Sequence, residues 1–351
     1  MSNYRLGLAT GLICVLMNLP AAAQTTITIS SAGGTVADGL RAAQWGPAAT
    51  KLGFVVREET TSDGLAALKL QVQSGSVTSD IVHLGSGEGA SAGKDGLLTP
   101  IDYSVIDAKS VPAGAAAKYC FPFDSYGTVL AWNTATYGEN GPKSWADFWD
   151  VKKFPGRRAM RANAQAQLEI ALLADGVAKE DIYKILSTPE GLKRAVDKIA
   201  QLRPAVAVWW TSGAQSTQLL KDGEVDMIIS WNGRMQNAID DGAKAQYTFN
   251  QAVIGTDCFA VPKGAPHAAE AMKMISLMTT PEAEAALTKY IMYGPMNVHA
   301  YENGLIPADR MAKLATAPAN AASLLVTDDA WWVDNDKAAQ VAFDEMMQQG
   351  Q

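Results

Sequence analysis

The chain has 351 residues, with 29 Lys and Arg against 36 Asp and Glu and a formal net charge of −7. An acidic balance with no long basic run argues against a nucleic-acid partner. The length exceeds what one ordinary core accommodates and predicts two lobes.

Arg5 is the only charge ahead of the apolar run LGLATGLICVLMNL, which Pro20 breaks before AAAQ. This is the order of a secretory signal peptide. The run is shorter than the roughly 20 residues that a membrane helix needs. Cleavage is expected after Ala23, which starts the exported chain at Gln24 in the periplasm. An uncleaved anchor is the alternative. A lipoprotein is disfavoured, because Cys14 follows Ile13 where lipid attachment needs a small residue. Cleavage leaves 351 − 23 = 328 residues and a charge of 28 − 36 = −8, since only Arg5 is lost. It also leaves two cysteines, Cys120 and Cys258. An oxidising compartment permits one disulfide between them; two buried free thiols are the alternative.

TTITISSAGGT alternates as a strand does and breaks at Gly33-Gly34. VADGLRAAQWGPAATKLG has helical spacing, FVVREET is a second strand, and DGLAALKLQVQSG a second helix. SDIVHLGSG is a third strand ending in glycines. Strand, helix, strand, helix, strand implies a parallel sheet with crossover helices. Ligands in such sheets lie beyond the carboxyl ends of the strands, here the loops Ser31–Gly34 and Gly85–Gly89. YCFPFDSYGTVLAWN is extended and is read as a crossing into a second lobe. There RRAMRAN, PAVAVWW and VDMIISWNG alternate with helical segments. FNQAVIGTDCFAVPKGAP is read as the return crossing. Two helices separated near Pro281 and a C-terminal helix complete the chain. The expected division is 24–122 plus 258–302 for the first lobe and 123–257 plus 303–351 for the second, with the ligand cleft between them. Since Cys120 and Cys258 both lie on crossings, the two are expected to be neighbours.

The usual chemistry of catalysis is missing. His83, His267 and His299 show no metal-ligand spacing and are read as surface or packing residues. In GSGEGASAGKDG, Lys94 is followed by Asp95, and Glu88 stands where a P-loop needs glycine. Gly85 to Ala90 fits G-x-G-x-x-A, but on the third strand rather than the first. No G-x-S-x-G elbow occurs. No cofactor, metal or enzymatic activity is expected.

SWADFWDVKKFPGRRAM, with YGTVLAWN before it and YGPMNVHAYENGLIP after it, resembles the spermidine/putrescine-type periplasmic solute-binding proteins of ABC importers. The order of segments agrees along essentially the whole exported chain. The resemblance implies a two-lobed type II periplasmic binding protein, α/β in each lobe, that closes on its ligand by a hinge and delivers it to a permease. It also implies cleft positions for Trp231 of the WNG motif, Asp257 of GTDCFAVP and Tyr293 of YGPMN. The likeness fails in two places. Ser31 to Thr35 replaces an aromatic-plus-acid pattern, and Asn163 and Ala166 stand about where further acids are expected.

Those departures change the expected ligand. A diamine needs an acid at each end, because an unpaired buried charge costs several kcal/mol. One convincing acid, Asp257, is present. Arg161 and Arg234 lie in cleft-side segments, and a guanidinium fork suits a carboxylate. An acid with an arginine matches a small zwitterion such as γ-aminobutyrate or another amino acid, its methylenes walled by tryptophan. Trp231 and one of Trp209 and Trp210 are expected to face the cleft, since adjacent strand residues point to opposite faces. Ser86, Gly34 and Thr35 are included on loop position alone. A polyamine is the alternative ligand if Glu58, Glu59, Asp63 and Glu88 converge. An exported enzyme on the same fold is the alternative class, and the protein is expected to be a monomer.

Overall fold

Strand β1 (Thr26–Ser31) carries Ile27 and Ile29, both buried. It pairs in parallel with β2 (Val55–Thr60) and β3 (Ile81–Gly85). A continuous helical stretch, with a π turn at Arg41–Trp45, joins β1 to β2. On the other side, β6 (Arg158–Arg161) pairs in parallel with β7 (Val206–Trp210) and β8 (Met227–Trp231). The MII run of β8 is buried on both faces, as expected for a strand covered by helices on both sides. The computed structural model describes residues 24–61, 64–317, 320 and 323–349. The expected signal peptide, residues 1–23, and Asp63 lie outside the described residues.

The two crossings are more than connectors. They form β5 (Cys120–Asn133) and β9 (Ala245–Pro262), antiparallel strands of 14 and 18 residues at the centre of the sheet. At about 3.3 Å per residue they extend through both lobes. Among the described residues the strand order is β2-β1-β3-β9-β5-β8-β6-β7, and two-residue strands pair with the central two: β4 (Leu98–Thr99) and β11 (Leu325–Val326) with β9, and β10 (Gly294–Pro295) with β5. The two alternating sets expected from the sequence are therefore halves of one mixed sheet of 11 strands. The register between β5 and β9 shifts between Pro122 and Asp124 and again between Thr128 and Leu130. Such irregularities bend a strand and increase its twist.

Separate cores lie on either side of those shifts. Ile27, Ile29, Ile81, Phe121, Phe123, Phe259 and Ile291 belong to one. Leu130, Trp132, Trp145, Phe148, Ile229, Val253 and Phe343 belong to another. Residues 303–317 follow the short helical turn Val298–Tyr301. Ile306 and Leu314 pack on Ala285, Met292 and Ala300. The segment is too short and irregular to show periodicity, so its packing partner could not be read in advance. Cys120 and Cys258 form a disulfide with Cα atoms 5.5 Å apart, 138 residues apart in sequence. It links the two central strands diagonally, since Cys258 stands opposite Pro122 and Cys120 opposite Ala260.

Candidate functional site

Four strands end at one cavity of about 320 Å³. Ser31 closes β1 and Gly85 closes β3; Arg161 closes β6 and Trp231 closes β8; all four residues line it. The carboxyl ends of the parallel strands in both lobes thus face a common space, where ligands of α/β sheets bind. Its floor comes from β5 and β9, through Tyr126, Thr128, Gly255, Thr256 and Asp257.

Trp231 stands at the centre. Trp210 meets it edge-on at 5.1 Å and Tyr126 at 6.0 Å. The guanidinium carbon of Arg161 lies 5.1 Å, and that of Arg234 5.7 Å, from its ring centre. Among the described residues neither arginine has a carboxylate within 4.0 Å, and the Nε of Arg234 is buried without a partner. Arg234 is held in place by the absence of a side chain at Gly213, where a Cβ would lie 2.0 Å from Nε. The two residues after Trp231 have structural tasks. Asn232 accepts from the Gly127 N–H and donates to the Met292 carbonyl, which ties the end of β8 to β5 and to the chain before Tyr293. Gly233 leaves room for Ile291 and Tyr293, either of which a Cβ would meet at 2.5 Å.

Asp257, in the floor, is not alone. Oδ2 lies 3.1 Å from Nε2 of His83. The two strands place Gly85 opposite Asp257 and His83 opposite Phe259, so the pair is a diagonal neighbour across β3 and β9. The imidazole is wedged edge-on against Phe123 and Phe259. His83 thus packs as expected and also lines the cavity. Directly opposite Asp257 on β5 is Asp124, buried, with no side chain donating to either carboxyl oxygen among the described residues. Burial, then Asp257, then Glu284 push its carboxyl well above the ordinary range. Burial followed by Asp257 likewise raises the Tyr126 phenol. Burial raises Tyr293, with Arg234 opposing.

Arg161, Arg234, Trp231, Asp257, Tyr293 and Ser86 therefore meet at the cavity. The Ser86 hydroxyl accepts from Thr256 at 2.6 Å. Trp209, Trp210, Gly34 and Thr35 do not line it. Trp209 packs edge-on against Phe343 in the second-lobe core. Trp210 is 1% exposed, and its indole N–H donates to the Ile229 carbonyl. Strand β7 is at the sheet edge, one strand beyond β6, so its side chains support Trp231 instead of joining it. Gly34 and Thr35 are exposed at the start of the first helix, while Ser31, Ala32 and Gly33 line the cavity. Residues not anticipated as ligand contacts are Tyr126, Thr128, Gln165, Thr256 and Asp329. Tyr126 and Thr128 lie in the YGTVLAWN segment and Thr256 in GTDCFAVP, so the motifs carried these three without singling them out.

Two α/β lobes threaded by two long strands, with a polar aromatic cleft between them, define a type II periplasmic binding protein. Residues 47–339 match the model of the bacterial extracellular solute-binding protein family, and the chain belongs to that family. A γ-aminobutyric acid-binding protein of Pseudomonas aeruginosa is 34% identical over 91% of this chain and 90% of its own. The solved structure of MotA from Agrobacterium tumefaciens B6, in complex with glucopine, is 41% identical, with a TM-score of 0.88 over 92% of this chain and 99% of that one. Spermidine/putrescine-binding periplasmic protein 1 of Haemophilus influenzae is 26% identical over 69% of this chain and 67% of its own. The protein is a solute-binding component of an ABC transporter. Among the described residues no helix is long and apolar enough to cross a membrane.

Proposed function

We propose that the protein captures a small solute bearing both an ammonium and a carboxylate, closes on it, and presents it to an inner-membrane permease. The observation that carries this is the pair of guanidiniums, Arg161 and Arg234, beside Trp231 and without a carboxylate partner among the described residues, in the cavity that Asp257 also lines. A buried cation without a counter-charge is costly. A ligand carboxylate would supply that charge through a bidentate contact, and Asp257 would take the ammonium. The same two arginines disfavour putrescine or spermidine, whose every charge is positive. No bond is made or broken. The lobes turn about β5 and β9, and bound ligand favours closure by its differential affinity for that state. Export with cleavage after Ala23, action as a monomer, and a change of lobe within 123–129 and 253–257 belong to the same proposal.

Neutral polar groups favour a second, larger ligand of the same charge type. Thr61, Thr128, Asn163, Gln165 and Thr256 line the cavity beyond the charged groups. A hydroxylated chain attached to the amino acid would use them; the 41% identical relative is solved in complex with glucopine, which is a further compound to test. Calorimetry with γ-aminobutyrate, glutamine, a hexose-linked glutamine, butyrate and putrescine tests both readings. Zwitterions should bind, and butyrate and putrescine should bind at least tenfold more weakly, about 1.4 kcal/mol. Tight putrescine binding with no response to any zwitterion would overturn the proposal. Preference for the hexose-linked compound over γ-aminobutyrate would select the larger ligand.

A further inference from the structure

Asp124 is the anomaly of the site. It is 1% exposed and does not line the cavity; among the described residues no side chain donates to either oxygen, and the Asp257 backbone N–H alone opposes the rise in its pKa. Its strand partner is Asp257, and the register runs unbroken from Asp124–Asp257 through Tyr126–Gly255. Directly opposed residues of an antiparallel pair put their side chains on one face, with Cβ atoms about 5 Å apart. Tyr126, two residues along β5, lies on that face and lines the cavity. Asp124 therefore stands beside Asp257 on the same side of the sheet. Around it are Asp257 on β9, Glu284 on the helix Pro281–Leu287, and Tyr293. His83 on β3 reaches only Asp257. No cation faces Asp124 among the described residues. Buried, with no cation facing it and a second carboxyl on the residue opposite, Asp124 keeps its proton well above the ordinary range.

We propose that Asp124 and Asp257 act as one ammonium-binding pair, which holds a proton in the empty site and releases it when a cationic amine enters. This rests on the zwitterion reading above. The amine brings the missing positive charge, so the Asp124 proton is expelled to solvent; the ammonium contacts Asp257, and the ionised Asp124 supplies the second negative charge without touching the ligand. A neutral or purely anionic ligand would leave the proton in place. The pair thus makes amine recognition proton-linked, with affinity for the amine rising with pH until the pair has lost its proton in the free protein as well.

The test is calorimetry of the full exported chain with γ-aminobutyrate and glutamine at pH 8, in phosphate and in Tris. The difference in heat divided by the difference in buffer ionisation enthalpy counts protons. The parent should release about one proton per ligand. Asp124→Asn should release close to none while still binding. His83→Gln should keep the release, which excludes the imidazole as its source. Asp329→Asn should keep it too, since Asp329, raised by burial to about 6, is already ionised at that pH. Binding by the parent without buffer-dependent heat would overturn the pair, and this result requires no variant to fold. A proton still released by a folded Asp124→Asn protein, or lost in His83→Gln, would overturn it as well. Failure of every zwitterion to bind the parent would instead remove the functional reading beneath it.

Discussion

At the scale of single residues, the tryptophans divide the labour by depth. Trp210 is buried and hydrogen-bonded to Ile229; Trp231 is half-buried and rests on it. Trp210→Ala should cost about 3–5 kcal/mol of stability, read as a lowered melting temperature. Trp231→Ala should leave most of that stability and lose most of the ligand affinity. The reverse pattern would mean that Trp231 is core. Asp257→Asn should weaken amine binding by about 1.5–3 kcal/mol, the worth of a hydrogen bond to a charged group, measured by titration of intrinsic fluorescence. The sequence made Trp231, Asp257 and Tyr293 legible because short motifs carry them. It could not identify His83 or Asp124, whose meaning comes from strands that meet only in the fold. Nor could strand alternation choose between Trp209 and Trp210, because neither reaches the cavity.

At the scale of elements, local pattern located the strands but not their continuity. β5 and β9 are separated by more than 100 residues and pair along nearly their whole length, information that resides in neither segment alone. Helix Gln167–Ala174 illustrates another hidden pairing. It is buried on every side and still contains Glu169. The carboxylate accepts from the Trp332 indole and the Tyr183 hydroxyl, which joins this helix to the C-terminal helix Asp329–Gln348. Burial raises its pKa from 4.5 to about 7, with those hydrogen bonds opposing. The folded state therefore holds the proton more tightly than the unfolded chain. This contribution to stability is complete below about pH 4.5 and is lost as pH rises through about 7. Its size is roughly 3 kcal/mol. Glu169→Gln keeps an acceptor for both donors and cannot ionise. Its melting temperature should gain on the parent between pH 5 and pH 8. A difference that does not change with pH would show that Glu169 does not titrate on folding.

At the scale of the molecule, binding depends on two lobes meeting, and the helix Ser86–Lys94 is where the first lobe touches the second. Its first turn lines the ligand cavity through Ser86, Gly87 and Glu88. Its last residue, Lys94, pairs with Asp334 of the C-terminal helix at 2.6 Å. Both partners of that ion pair are well exposed, so it contributes at most about 1 kcal/mol and is screened by salt. Close approach matters more. A Cβ at Gly87 would lie 3.3 Å from Oδ1 of Asp329 and 3.7 Å from Nε2 of Gln165. Asp329 and Gln165 belong to the second lobe and line the same cavity. A bulky side chain at 87 would press on Asp329 and Gln165 in this arrangement, whereas lobes further apart would leave it room. Gly87→Leu should therefore leave the melting temperature of the ligand-free protein within a few degrees of the parent. It should lower affinity for the parent's ligand at least tenfold, about 1.4 kcal/mol. Small-angle scattering supplies the geometric check: saturating ligand should reduce the radius of gyration of the parent and leave that of Gly87→Leu unchanged. If the variant binds as tightly as the parent and contracts equally, then the contact between Gly87 and Asp329 is not what closure requires.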